Sequence, residues 1–119
     1  MQPTKHSDQR GFFQELYHFN ADEPGYAQVS WFSIEPGQNR GGHYHFKTVE
    51  MFIVLEGEVI ATIRETAQDA LKKEHRLGPG ELLKVVPPQF HSFHSVKGAK
   101  VLAFASRHFN PNDSDCYTE

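Results

Sequence analysis

The chain has 119 residues, of which 38% are hydrophobic and 23% charged, with a formal net charge of −3. That length supports one domain with its own core, and the balance describes a globular protein rather than a disordered one. Lysine and arginine are scattered without a basic stripe, which excludes a nucleic-acid interface, and no run reaches the roughly 18 apolar residues of a membrane-spanning helix. The segment from Met1 to His6 lacks the apolar stretch of a secretion signal, and the single cysteine, Cys116, has no partner for an internal disulfide. Both fit a reducing, cytoplasmic setting.

In chain order, an N-terminal arm (residues 1–20) precedes a barrel of about residues 26–108 and a polar C-terminal tail (109–119), together one domain over 1–119. From Tyr26 to Ile34, Ala27, Val29 and Trp31 alternate with Gln28, Ser30 and Phe32, the period of a strand. Met51 to Leu55 is a continuous apolar run, as in a strand covered on both faces. Val59–Ile63, Leu82–Val86 and Val101–Phe104 are further short apolar or β-branched segments. Only Glu65 to Glu74 has room for a helical turn or an elaborated hairpin loop. Pro36-Gly37, Gly41-Gly42, Glu56-Gly57, Gly78-Pro79-Gly80, Pro87-Pro88 and Lys97-Gly98 punctuate the strands. Evenly spaced short strands without long helices predict an all-β sandwich or barrel.

The chain carries eight histidines, and their spacing matters more than their number. Between Gly37 and Gly57 stand His43, His45 and Glu50. Residues two apart share a face of a strand, so His43 and His45 point together, and Glu50, opening the next strand, can face back across a hairpin. Two imidazoles and a carboxylate suit a first-row transition metal. A fourth ligand is expected from His91, which follows the Pro87-Pro88 turn. The same residues could instead act as acid, base or substrate contacts.

Gly, five residues, His-x-His, four residues, Glu, six residues, Gly resembles the first motif of the cupin superfamily, and the Pro87 to His91 segment is similar to its second, with Gln89 where a glycine is usual. The resemblance implies a double-stranded β-helix, or jelly-roll barrel, holding one divalent ion through His43, His45, Glu50 and His91, with zinc ahead of iron, manganese or nickel.

A narrower resemblance surrounds the motif. Arg40-Gly41-Gly42-His43-Tyr44-His45, followed by Lys47 and Glu50, looks like the C-terminal cupin domain of bifunctional enzymes of capsular polysaccharide synthesis. Asp8-Gln9-Arg10-Gly11-Phe12-Phe13-Gln14-Glu15 resembles a signature shared with dTDP-4-dehydrorhamnose 3,5-epimerases, and Phe109 to Asp115 is similar to the tail of the same group. These resemblances imply epimerisation or ketoisomerisation of a nucleotide-linked 4-keto-6-deoxy sugar through the proton at C3, in polysaccharide precursor synthesis. His43 and His45 would be catalytic, and Arg10, Phe12, Glu15, Arg40 and Lys47 would bind substrate. Arg10 has a plainer reading as an ion pair with Asp8 or Glu15, and Phe12 as core. The relatives' glycine-rich dinucleotide loop has no counterpart in Gly78-Pro79-Gly80, so no NAD(P) site is expected. A homodimer is expected because the outward side chains of Met51, Ile53 and Leu55 need cover. A metal-dependent cupin dioxygenase or oxidase, and a non-catalytic sugar-binding cupin, are the rival readings.

Overall fold

The computed structural model describes residues 5–18, 26–107, 112 and 114–118, with the side chains of 16–18 left aside. The described residues form eleven antiparallel strands and no helix. In chain order they are β1 (Lys5–Asp8), β2 (Gly11–His18), β3 (Gln28–Ile34), β4 (Asn39–Tyr44), β5 (Glu50–Gly57), β6 (Val59–Arg64), β7 (Lys73–Leu77), β8 (Leu82–Val85), β9 (Phe90–His94), β10 (Ala99–Ala105) and β11 (Tyr117–Thr118). One sheet runs β1-β2-β3-β10-β5-β8 and the other β11-β4-β9-β6-β7. The fold is a cupin jelly roll, as expected. Among the described residues no helix is long and apolar enough to cross a membrane.

Period-two patterning makes the core. Alternate residues of a strand face one side, so Phe52 and Val54 of β5, Val101 and Ala103 of β10, Val59, Ala61 and Ile63 of β6 and Phe93 of β9 meet between the sheets. Packing there is close enough that Ala61 is fully buried.

Three local expectations need correcting. Gly41-Gly42 does not end a strand but is a bulge inside β4, because both glycines take positive φ (84° each) and the ladder to β9 slips there. His43 and Glu50 do not face each other across a hairpin. The turn after β4 carries the chain from one sheet to the other, and Glu50 looks back at the histidines across the interior. The Met51 to Leu55 run is covered on one face only, with Leu55 44% exposed. Of the two forms expected for Glu65 to Glu74 the structure shows the hairpin loop, which joins β6 to β7; its last residues begin β7, whose charged sequence carries no strand signal and which is held by its ladder to β6.

Both ends of the chain join sheets. β1 and β2 of the expected arm extend the six-stranded sheet beside β3, and β11 of the expected tail pairs with β4, Tyr117 opposite Tyr44. The expected barrel limit at residue 108 and the first tail residues, 109–111, lie outside the described residues.

Gly37 and Gly57, the ends of the metal motif, both take left-handed backbone (φ 79° and 78°). A Cβ on Gly37 would meet nothing within 4 Å, whereas on Gly57 it would fall 2.1 Å from the Gly98 carbonyl oxygen. Gly37→Ala should therefore cost about 1 kcal/mol, the left-handed penalty alone. Gly57→Ala should cost at least about 2 kcal/mol more, since two backbones must separate. Urea denaturation of the two variants checks the difference, and equal losses would refute the close-approach account.

Candidate metal centre

The site sits where the apolar interior gives way to polar side chains. Past Phe93, the next inward residue of β9 is His91, 1% exposed, with the rings of Phe52 and Phe93 at 5.5 and 5.6 Å. The β4 bulge sets two steps of β4, Gly41 to His43, against one step of β9, Ser92 to His91, so His43 stands opposite His91 with ring centroids 4.9 Å apart. A Cβ on Gly41 would lie 3.0 Å from the His91 carbonyl oxygen, so the close approach of β4 needs glycine there. His45, just past the end of β4, is 8% exposed, and its ring lies 5.5 Å from that of His43 and 5.7 Å from that of His91. The ligating atoms of His43, His45 and His91 all lie within 4.8 Å of one another.

Glu50 completes the group from the opposite sheet. Its Oε1 is 2.7 Å from His45 Nε2 and 3.6 Å from His91 Nε2. The close pair lacks hydrogen-bond alignment: His45 Nε2, Glu50 Oε1 and His91 Nδ1 are buried with no hydrogen-bond partner among the described residues. Orphaned buried polar atoms are costly. Imidazole nitrogens beside a carboxylate are the donor set of a divalent first-row ion, and the three histidines can hold one.

Charge follows burial. Removal from water pushes the His91 pKa down to about 4 and lowers that of His43, and Glu50 only partly opposes this. Burial also acts to lower the His45 pKa, but the Glu50 carboxylate and the Asp115 carbonyl outweigh it and the net direction is up. Burial would raise the Glu50 pKa, yet the three imidazoles hold it below the usual carboxylate value. Neutral imidazole is the form that ligates a metal.

His43, Glu50 and His91 line a cavity of about 230 Å3, and His45 stands behind them. Phe13, Gln28, Ser30 and Phe32 form the facing wall. In β3 the polar set Gln28 and Ser30 faces in, while Val29 and Trp31 face out, because the inward face borders the cavity at that end. Arg10 and Arg40 also line it. Arg40 is fixed by hydrogen bonds to the carbonyls of Ser33 and Phe12 (3.0 Å each) and lies over the Phe32 ring. Arg10 is exposed and forks onto Asp8, whose carboxyl it holds down at about 2.

The other expected substrate residues are not gathered at the cavity within one chain. Phe12 lies on the outer sheet face, edge-on to Trp31 at 4.5 Å. Glu15 is half-buried opposite Ser30 but is not a lining residue. Lys47 is exposed on the turn between β4 and β5. Phe13, which with Phe12 was a candidate for stacking on a nucleotide base, does line the cavity, whereas sequence reasoning missed Gln28 and Ser30, although the polar phase of the β3 alternation marked them. It also missed Asp115, whose carboxylate accepts from the backbone N–H groups of Phe46, Lys47 and Thr48 (3.0, 2.8 and 2.8 Å).

Comparison with known proteins matches residues 6–117 to the family described as Polysaccharide biosynthesis C-terminal domain. The chain belongs to this family. Among its relatives is the UDP-2-acetamido-2,6-beta-L-arabino-hexul-4-ose reductase of Pseudomonas aeruginosa, 32% identical over 115 residues, covering 94% of this chain and 30% of that protein. Another is the spore coat polysaccharide biosynthesis protein SpsL of Bacillus subtilis, 26% identical, covering 93% of this chain and 80% of that one. Among solved structures, the capsular polysaccharide assembling protein CapF of Staphylococcus aureus superposes with a TM-score of 0.87 at 23% identity, over 98% of this chain and 34% of CapF. A single-residue variant of the oxalate decarboxylase of B. subtilis superposes with a TM-score of 0.77 at 19% identity, over 98% of this chain and 30% of that one. These superpositions show the fold. The chain thus spans about a third of the P. aeruginosa relative and of CapF, and is related to sugar-nucleotide biosynthesis enzymes.

A buried histidine of depressed pKa makes acid destabilising, because the unfolded chain binds the proton and the folded one does not. Metal-free protein should lose stability as the pH falls from about 6.5 toward 4, by up to about 1.4 kcal/mol per unit from His91. His43 acts in the same direction, and His45, shifted upward, offsets part of the loss. Urea midpoints in the presence of a chelator at pH 7, 6 and 5 give the slope. His91→Phe should flatten it, and an unchanged slope would show that His91 is not its source.

Proposed function

We propose that this chain is a metal-dependent cupin of the cytoplasm that epimerises, or ketoisomerises, a nucleotide-linked 4-keto-6-deoxy sugar through its C3 proton, supplying a polysaccharide precursor. The observation that carries the reading is the His43, His91 and Glu50 wall facing a cavity flanked by two arginines. The name of the P. aeruginosa relative adds support, since it specifies a UDP-linked hexul-4-ose, a sugar whose C4 ketone acidifies the neighbouring C3–H.

The cavity, at about 230 Å3, is below the usual range for a drug-sized ligand, so it takes one sugar ring and leaves the nucleotide at the mouth. Arg40, already anchored, is a fixed positive charge there. Arg10 is held only by Asp8, and a diphosphate can take over its fork through the same bidentate geometry. Ser30 and Gln28, bonded to each other at 3.0 Å, present polar groups to the ring hydroxyls. His43, His45, His91 and Glu50 would hold the ion, zinc in this reading, and the bound ion would polarise a substrate oxygen as a Lewis acid. A neutral imidazole has one free lone pair, so a ligating His43 leaves proton abstraction to another group.

The proposal includes a homodimer. Trp31, Leu102, Ile53 and Leu82 stand in register across β3, β10, β5 and β8 on the outer sheet face, and Leu82 is 52% exposed. Light scattering should give twice the chain mass, reduced to one by Leu82→Glu with Ile53→Glu.

The chemistry is tested by exchange. Purified protein should carry about one equivalent of divalent metal, and in D2O it should drive deuterium into C3 of a UDP- or dTDP-4-keto-6-deoxyhexose. His43→Ala should slow this at least about a hundredfold. Chelation should abolish exchange and zinc restore it. Exchange that survives chelation would reassign His43 from ligand to base. A protein that binds no metal and exchanges no 4-keto sugar would overturn the reading, and oxygen consumption with another substrate would replace it with the oxidase.

A further inference from the structure

The turn that carries His45 to Glu50 is gripped by residues from the far end of the chain. Phe46, Lys47 and Thr48 present three successive backbone N–H groups, and the Asp115 carboxylate accepts all three, together with the Thr48 hydroxyl at 2.8 Å. Consecutive amides of this kind form a nest for an anion. One residue earlier, the bond reverses in kind: the Asp115 backbone carbonyl lies 2.5 Å from His45 Nδ1. A carbonyl can only accept, so Nδ1 carries the proton and donates. The other nitrogen, Nε2, is thereby turned toward Glu50, 2.7 Å away. Next along, Tyr117 and Thr118 pair with Tyr44 and His43, and the Tyr117 ring stacks on Tyr44.

We infer that Asp115 is a positioning residue for the metal centre: its side chain docks the C-terminal segment on the 46–48 turn, and its carbonyl holds His45 with Nδ1 protonated and Nε2 free to ligate. The second ring nitrogen of a metal-binding histidine commonly needs such a partner, which fixes the tautomer and ring orientation. Here it comes from a segment outside the motif that bears the ligands. The inference rests on the proposed metal reading for its consequence but not for its geometry, and the two are tested apart.

Metal-free wild type, labelled with 15N-histidine, should show a His45 Nδ1 proton that is downfield and protected from exchange with water. Asp115→Ala keeps the carbonyl but removes what docks it, and deletion of 114–119 removes both; each should lose that signal while the remaining fold, read by amide spectra, persists. Affinity for Zn2+ and Co2+ should fall roughly 10–100-fold in both, and the cobalt-loaded visible spectrum should change. Asp115→Asn, which retains one acceptor oxygen, should recover part of the affinity. Tyr117→Ala, which removes only ring contacts two residues beyond Asp115, should leave the His45 signal and affinity near wild type. A protected His45 proton that survives in both Asp115→Ala and the deletion, or unaltered metal affinity in them, overturns the inference. A wild type that shows the proton but binds neither metal overturns the metal reading and leaves the hydrogen-bond assignment standing.

Discussion

Three imidazoles and a carboxylate share an interior whose core cluster is built from Phe, Val, Ile, Leu and Ala, and the rest of the structure is arranged around that burden. A buried ionised group without compensation costs several kcal/mol, and a buried polar atom left unpaired about 1–3. The chain limits the cost by location. These four residues lie at the end of the sandwich where the core clusters give out and a cavity opens, so His43 and Glu50 keep some access to water while His91 is sealed. Mutual compensation does the rest: the imidazoles facing Glu50 hold its pKa below the usual carboxylate value, and the carboxylate in turn shifts that of His45 upward.

Meeting at one point from two sheets sets a geometric demand that regular strands do not satisfy. Along an unbroken β4, the phase that pairs Gly41 with Ser92 would carry on past His91 out of step. The Gly41-Gly42 bulge inserts the extra residue and returns His43 to the position opposite His91. Two adjacent residues at positive φ leave little choice but glycine. The Arg-Gly-Gly-His-Tyr-His segment is thus a mechanical unit: arginine ties β4 to Phe12 and Ser33, the glycines step the register, and the histidines arrive aimed inward.

What was legible in the sequence was what depends on short-range spacing. His43 and His45 share a strand phase, Gly37 and Gly57 bracket the turns, and the apolar period-two segments mark most of the core. The partner of each strand was not legible, because four residues between His45 and Glu50 fit a hairpin and a crossing between sheets equally well. β7 was hidden because an edge strand with one buried residue, Leu77, has no reason to be apolar. In β3 the alternation was plain but its sense was not: polar residues face inward only because a cavity lies there, a fact of tertiary structure. The Asp8 to Glu15 segment resembles an epimerase signature that implies substrate contact by Arg10 and Phe12, yet in one chain its Arg10 reaches the cavity and its Phe12 does not.

The grip on the ligand turn explains why residue identity alone concealed it. Asp115 bonds to backbone N–H groups of Phe46 and Lys47, which every non-proline residue offers, so those two positions carry no side-chain signature of the contact. On the other side, Ser106 accepts from the Val49 N–H through its hydroxyl and donates its own N–H to the Val49 carbonyl. The stretch between His45 and Glu50 is therefore clamped at 46–48 by one C-terminal residue and at 49 by another, and Thr48 adds its side chain to the first clamp. The Val49–Ser106 pairing continues the β5–β10 ladder by one step, and between it and β4 the Asp115 carboxylate supplies the acceptor for the N–H groups of Phe46, Lys47 and Thr48. Because that acceptor is Asp115, the setting of His45 depends on a residue outside the motif between Gly37 and Gly57.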